Sequence, residues 1–184
     1  ELGNGWYNGR FGFDGSPGPY YGDGRRLIAE VVLAYEDGTT EIIGTDESWQ
    51  VSRSNITFSN IYDGEWRDDT LPVIKPVPAM LAKEPKGKLT ARYSTPVKAW
   101  EALPVREIIH TPAGETVIDV GQNMTGIFRF SFHEPKGAKI RLQFGEILQD
   151  CNFYRENLRT AKAEYVYISD GKPHMLEPKL TFYG

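Results

Sequence analysis

Among 184 residues there is a single cysteine, Cys151, which excludes an internal disulfide and any zinc site built on several thiolates. The three histidines, His110, His133 and His174, are far apart, and no Gly-x-Ser-x-Gly elbow is present, so nothing suggests a nucleophile–histidine pair. Cys151 reads as a loop thiol. No run of about 18 apolar residues occurs, which excludes a membrane-crossing helix; the richest stretch, Leu27 to Tyr35, is interrupted by Glu30. Long segments with helical periodicity are also scarce, Tyr154 to Lys162 being the one short candidate. A formal charge of −4 carries no basic excess for a nucleic-acid backbone. Neither nucleic acid nor membrane is therefore expected as a partner. The redox compartment stays open between a cytoplasmic and a secreted or periplasmic setting.

What is present is a protein of two characters. Residues 1–70 contain no lysine, 5 basic and 13 acidic side chains and 11 of the 23 aromatics, whereas residues 71–184 hold 16 basic against 12 acidic. Between them lies a stretch rich in proline, Leu71-Pro-Val-Ile-Lys-Pro-Val-Pro78 and then Lys83 to Lys88, which suits neither helix nor central strand. The expected organisation is a first β domain over 1–70, a linker or crossing segment over 71–104 and a second β domain over 105–184. Both ends read as strand in mid-course, so a piece of a longer protein is expected.

Strand patterns fill both parts. Leu27–Tyr35 and Thr39–Gly44 flank Asp37-Gly38, a hairpin signal. Ser48–Ser52, Lys88–Tyr93, Val105–His110, Thr116–Val120, Gly126–Phe132, Ala138–Phe144, Glu164–Ile168 and Pro178–Phe182 follow. In Gly126–Phe132 the alternation puts Phe128, Phe130 and Phe132 on one face and Arg129 and Ser131 on the other. The expectation is an all-β chain of two antiparallel β-sandwich, jelly-roll-like domains or parts of domains.

Three clusters could carry chemistry. Gly3-Asn-Gly-Trp-Tyr-Asn-Gly9 lacks the helix and lysine of a phosphate loop, but its Trp6 and Tyr7 could stack on a pyranose while Asn4 and Asn8 hydrogen-bond hydroxyls. The same pattern suits a glycine-rich turn whose rings join the core. Tyr62 to Asp69 gathers four carboxylates. If extended, Asp63 and Glu65 share a face about 6.5–7 Å apart, within the range of glycosidase acid/base pairs, and they could equally assist a sugar site. Asp63 and Asp69, with Asp14 and Asp23, are candidate calcium ligands; no other cofactor is expected. Arg155, Arg159 and Lys162 would line one side of the short helix, as a solvated face or a domain contact. The sequons at Asn55 and Asn123 are too short a pattern to weigh.

Leu2-Gly-Asn-Gly-Trp-Tyr-Asn-Gly-Arg10, the Ala29–Thr45 hairpin with Asp46-Glu-Ser-Trp49, and Ile61-Tyr-Asp-Gly-Glu65 together resemble the N-terminal domain of bacterial α-L-rhamnosidases, glycoside hydrolase family 78. Asp119 to Gly126, Gly145-Glu-Ile-Leu148, Asn152 to Arg159 and Glu177 to Gly184 are similar to the β-sandwich that follows in that family. The resemblance implies that the inverting acid and base lie on an (α/α)6 barrel beyond this chain, so no catalytic residue is assigned here. The leading reading is therefore an accessory portion that supports the barrel and could bind rhamnose-containing glycans, with Arg155, Arg159 and Lys162 expected to border the patch that meets the barrel. Two other readings remain: a purely structural brace, and a self-sufficient glycosidase using Asp63 and Glu65.

Overall fold

The computed structural model describes residues 1–10, 18–19, 21–22, 24–83 and 87–184. In chain order the strands are β1 (Glu30–Ala34), β2 (Thr40–Gly44), β3 (Gln50–Val51), β4 (Ile56–Asn60), β5 (Gly64–Asp68), β6 (Val77–Pro78) and β7 (Glu107–His110). They continue with β8 (Thr116–Asp119), β9 (Phe130–Phe132), β10 (Lys139–Gln143), β11 (Ile147–Gln149), β12 (Asn152–Tyr154), β13 (Glu164–Ile168) and β14 (His174–Leu176). One helical turn, α1 (Gly5–Asn8), and a 3-10 turn at Glu156–Leu158 complete the described elements, so the chain is all-β. Two compact units interleave along the sequence. The first comprises 1–23, 55–71 and 96–184, the second 24–54 and 72–95.

The first unit is organised by a four-stranded sheet in the order β10-β13-β5-β4. β10–β13 and β4–β5 are antiparallel, while β13 and β5 run parallel, with Tyr165 opposite Glu65 and Tyr167 opposite Arg67. Among the described residues this is the exception to otherwise antiparallel strand pairings, and it joins segments about 100 residues apart. Over the inner face lies the β9–β14 pair, extended by the Gly126–Tyr183 bridge. The alternation read in the sequence holds: Phe128, Phe130 and Phe132 face inward onto Tyr165, Tyr167 and Leu176, all three fully buried. Phe128 meets Tyr165 edge-on at 4.8 Å, and Tyr183 stacks on Phe144 with centroids 3.7 Å apart. Offset and edge-on ring pairs of this kind add about 0.5–1.5 kcal/mol each beyond their buried area. Two shorter hairpins, β7–β8 and β11–β12, complete the unit.

The second unit contains the β1–β2 hairpin, with Val31 opposite Ile43 and Val32 opposite Ile42, and the short β3–β6 pair. Its turn forms at the expected Asp37-Gly38, where Gly38 takes φ +84° and the Asp37 carboxylate accepts from the Thr39 N–H and hydroxyl.

Some expectations need correction. Lys88–Tyr93 forms no strand; Leu89 and Tyr93 are exposed, and no strand among the described residues pairs with the segment. Tyr154–Lys162 forms no helix beyond the 3-10 turn, because Arg159 adopts φ +56° and the Arg155 guanidinium engages the carbonyls of Phe144 and Lys162. The acidic segment around Glu65, read as a candidate site, is instead an inner strand of the main sheet.

Candidate functional site

The segment ending at Arg10 is held against β4 and the turn that follows it. Asn4 donates from its side chain to the Ser59 carbonyl at 3.0 Å and from its backbone to Ser59 Oγ at 3.3 Å. The glycine-rich motif thereby closes into α1, with Asn8 N–H donating to the Asn4 carbonyl at 3.1 Å. Trp6, 59% exposed, and Tyr7 project from this turn. The Trp6 ring stands edge-on to Tyr62 at 6.0 Å, and the Arg10 guanidinium lies 5.8 Å from the centre of the same tyrosine ring. The result is a surface group of aromatic rings supported from beneath by a strand end.

Asp63 follows in the turn before β5. Arg10 grips it with two hydrogen bonds, Nε at 2.9 Å and Nη2 at 2.7 Å, while also donating to the Thr160 carbonyl and hydroxyl. Lys162 N–H adds a third bond at 3.2 Å. Burial raises the Asp63 pKa, but Arg10 and the Lys162 amide outweigh it and hold the carboxyl below the ordinary aspartate range. A depressed folded pKa contributes stability that is present above the unfolded value and lost as pH falls through the folded one. The urea midpoint of the parent should therefore drop in acid between those two values, and Asp63→Asn should remove that part of the pH dependence.

Glu65 lies elsewhere. It is fully buried, and its Oε2 accepts from the backbone N–H groups of Lys179 at 3.0 Å and Leu180 at 2.8 Å. Burial raises its pKa against the opposing pull of these two bonds. The candidate Asp63–Glu65 pair does not share an exposed face: one carboxylate is clamped by an arginine, and the other is fully buried, with no surface from which to reach a glycosidic oxygen or a sugar hydroxyl.

Asp69 is bound by Arg67 through Nε at 2.8 Å and Nη2 at 2.6 Å, and accepts from Asn55 and from the Tyr167 hydroxyl. His174 approaches it at 3.7 Å and bonds Asp170 at 2.8 Å. Asp14 and Asp23 lie outside the described residues. Among the described residues no group of three or more histidine, cysteine, aspartate or glutamate side chains is arranged around a common point. Arg155 and Lys162 are held locally, the Lys162 ammonium 5.6 Å from the centre of the Trp66 ring, and Arg159 is exposed at the end of the 3-10 turn. Cys151 is exposed in the β11–β12 turn, as expected of a loop thiol. Sequence reasoning missed the Arg10 clamp, whose partners lie 53 and 150 residues away.

Fold and site together define an all-β, sandwich-type protein with an exposed ring group and, among the described residues, no assembled nucleophile or metal centre. Residues 1–101 match the α-L-rhamnosidase N-terminal domain and residues 109–184 the bacterial α-L-rhamnosidase concanavalin-like domain, and the chain belongs to this family. It is 31% identical to an α-L-rhamnosidase of Streptomyces avermitilis, covering 98% of this chain and 18% of that protein. A second α-L-rhamnosidase, from an Alteromonas species, is 31% identical, covering 100% of this chain and 21% of that protein. The fold superposes on native α-L-rhamnosidase from Aspergillus terreus with a TM-score of 0.90 at 30% identity, over 100% of this chain and 22% of that one. The Streptomyces avermitilis enzyme complexed with L-rhamnose gives 0.84 at 29% identity, over 98% and 19%. The chain thus spans about a fifth of the length of these relatives.

Proposed function

We propose that this chain is the accessory, non-catalytic portion of a bacterial α-L-rhamnosidase, one that supports a catalytic domain and holds rhamnose-containing glycosides through the Trp6–Tyr7 surface. The reading rests on one observation above all: two exposed rings on a turn pinned to Ser59, within a family whose solved members include one complexed with L-rhamnose. A fixed ring offers a sugar C–H face a platform without a large ordering cost, and Asn4 and Asn8 lie in the same turn. Arg155, Arg159 and Lys162 would border the contact with the catalytic domain. The arginine clamp on Asp63 and the burial of Glu65 favour this reading over a self-sufficient glycosidase.

Titration with L-rhamnose, followed by Trp6 fluorescence and repeated with calcium, should give weak binding, about 0.1–1 mM or −4 to −5.5 kcal/mol. Trp6→Ala should abolish it, and an aryl α-L-rhamnoside should not be turned over by the chain alone. If calcium strengthens binding and Asp63→Asn cancels that gain, Asp63 acts through the ion. If the full-length protein with its catalytic site blocked also fails to bind rhamnose, the chain is a structural brace.

A further inference from the structure

The rings of Trp6 and Tyr62 meet at 89° with their centroids 6.0 Å apart, so two aromatic planes close a right-angled corner. Trp6, 59% exposed, forms its open wall and Tyr62, half-buried, its inner one. Tyr62 is fixed from several sides. Its N–H donates to Asn60 Oδ1 at 2.8 Å and its carbonyl accepts from the Ala163 N–H at 2.9 Å, which ties the residue to the end of β4 and to the position just before β13. The Arg10 guanidinium lies 5.8 Å from the ring centre and is itself held by Asp63 and the Thr160 carbonyl. A wall anchored in this way has little conformational freedom left to lose when a ligand arrives.

A pyranose stacked on one wall presents its rim to the other. Equatorial substituents lie near the mean plane of the sugar and run parallel to the platform, so the upright ring meets whichever substituent is turned toward it. An aromatic wall strips water from a hydroxyl without returning a hydrogen bond, whereas it receives a methyl group favourably. A 6-deoxyhexose carries one such apolar substituent, the methyl on C5, and in rhamnose it is equatorial. We propose that Tyr62 is a specificity-determining residue of the carbohydrate site proposed above, admitting the C5 methyl of a 6-deoxyhexose into the Trp6–Tyr62 corner and so favouring rhamnose over sugars with a hydroxymethyl group or a hydrogen at that carbon. The inference rests on the reading of Trp6 as the stacking ring. It adds to that reading the part of the sugar that is recognised and the residue that recognises it.

Three sugars that share the configuration of their ring hydroxyls isolate the contact: L-rhamnose, L-mannose, which has a hydroxymethyl group on C5, and L-lyxose, which has only hydrogen there. In saturation-transfer NMR titrations of the 184-residue chain, L-rhamnose should bind about three- to tenfold more tightly than L-lyxose, with the strongest transfer at its methyl protons, and more tightly than L-mannose. Tyr62→Ala should bring the three affinities to within about twofold of one another while leaving that for L-lyxose as in the parent. Retained L-lyxose binding shows the Trp6 platform intact, which separates a residue that reads the methyl from one that merely supports the turn. Tyr62→Phe, which keeps the ring, should preserve the parent order, and Trp6→Ala should abolish all binding. L-lyxose or L-mannose binding the parent as tightly as L-rhamnose overturns this inference alone and leaves the Trp6 reading standing. Parent chain that binds none of the three overturns both. Loss of L-lyxose binding in Tyr62→Ala would make Tyr62 a support for the turn, and loss of the preference in Tyr62→Phe would give the selectivity to its hydroxyl; either result overturns the methyl contact.

Discussion

Glu65→Ala is expected to lower the stability of the chain by about 3–5 kcal/mol, and Glu65→Gln to be at least as stable as the parent at pH 7. Glu65 is 0% exposed and bonds two backbone amides, of Lys179 and Leu180. Truncation leaves both donors orphaned and opens a cavity beside Tyr165. Its second oxygen, Oε1, has no hydrogen-bond partner, and neither has the hydroxyl of Tyr165, the residue opposite it on β13. A glutamine keeps the carbonyl for the two amides, places an N–H₂ where Oε1 stood and removes a charge that burial disfavours. The sign of the pH dependence follows from the raised pKa. Stability from a carboxyl of this kind is complete below the unfolded pKa and is lost as pH rises through the folded one. Urea titrations across that window should show the parent losing this contribution while Glu65→Gln stays level. A Glu65→Gln variant that falls as far as Glu65→Ala would show that the ionised form is the one the fold requires.

Gly64→Ala should be as damaging, at about 3 kcal/mol or more, for a different reason. Gly64 opens β5 at φ +103°, a conformation that side chains rarely adopt, and it sits opposite Glu164 in the parallel pair. An added Cβ would overlap the Glu164 carbonyl oxygen, which is backbone and cannot rotate away. Relief requires the two strands to part where the Glu164 N–H donates to the Asp63 carbonyl. Gly38→Ala provides the control. Its φ of +84° is comparable, but nothing lies within 4 Å of the added atom, so only the backbone penalty of about 1–2 kcal/mol applies. Equal losses in the two variants, measured by urea denaturation, would show that crowding at β5–β13 is not decisive.

The contrast between these two glycines also marks what was legible from residues alone. Asp37-Gly38 lies between two β-rich runs, and the hairpin is local, so its signal is complete within a few positions. Phe128, Phe130 and Phe132 likewise declare their buried face by alternation. β5 hides itself because its inward residues are Glu65 and Arg67 while Trp66 points the other way, the reverse of the pattern by which a half-buried strand is recognised. Their partners, the amides at 179–180 that hydrogen-bond Glu65 and the Asp69 carboxylate that pairs Arg67, are not announced by the strand's own pattern. Lys88–Tyr93 shows the opposite failure, since β propensity without a neighbouring strand yields exposed, irregular chain. At the candidate site, the rings of Trp6 and Tyr7 could be read from composition, whereas the engagement of Asp63 by Arg10 depended on how segments from both ends of the sequence meet.

The pairing of Asp68 with Ile168 also imposes a timetable during synthesis. At about 5–20 residues per second, β5 leaves the ribosome some 5–20 s before β13 exists. In that interval the β4–β5 hairpin has one satisfied edge and one vacant edge, and Glu65 has neither of the amides that later cap it. The nascent chain must keep that edge from wrong partners until residues 164–180 emerge, and charges at Glu65, Arg67 and Asp68 are suited to the task, since exposed strands bearing charge resist adventitious pairing. The side chains that obscure this strand in the sequence thus guard it while it waits.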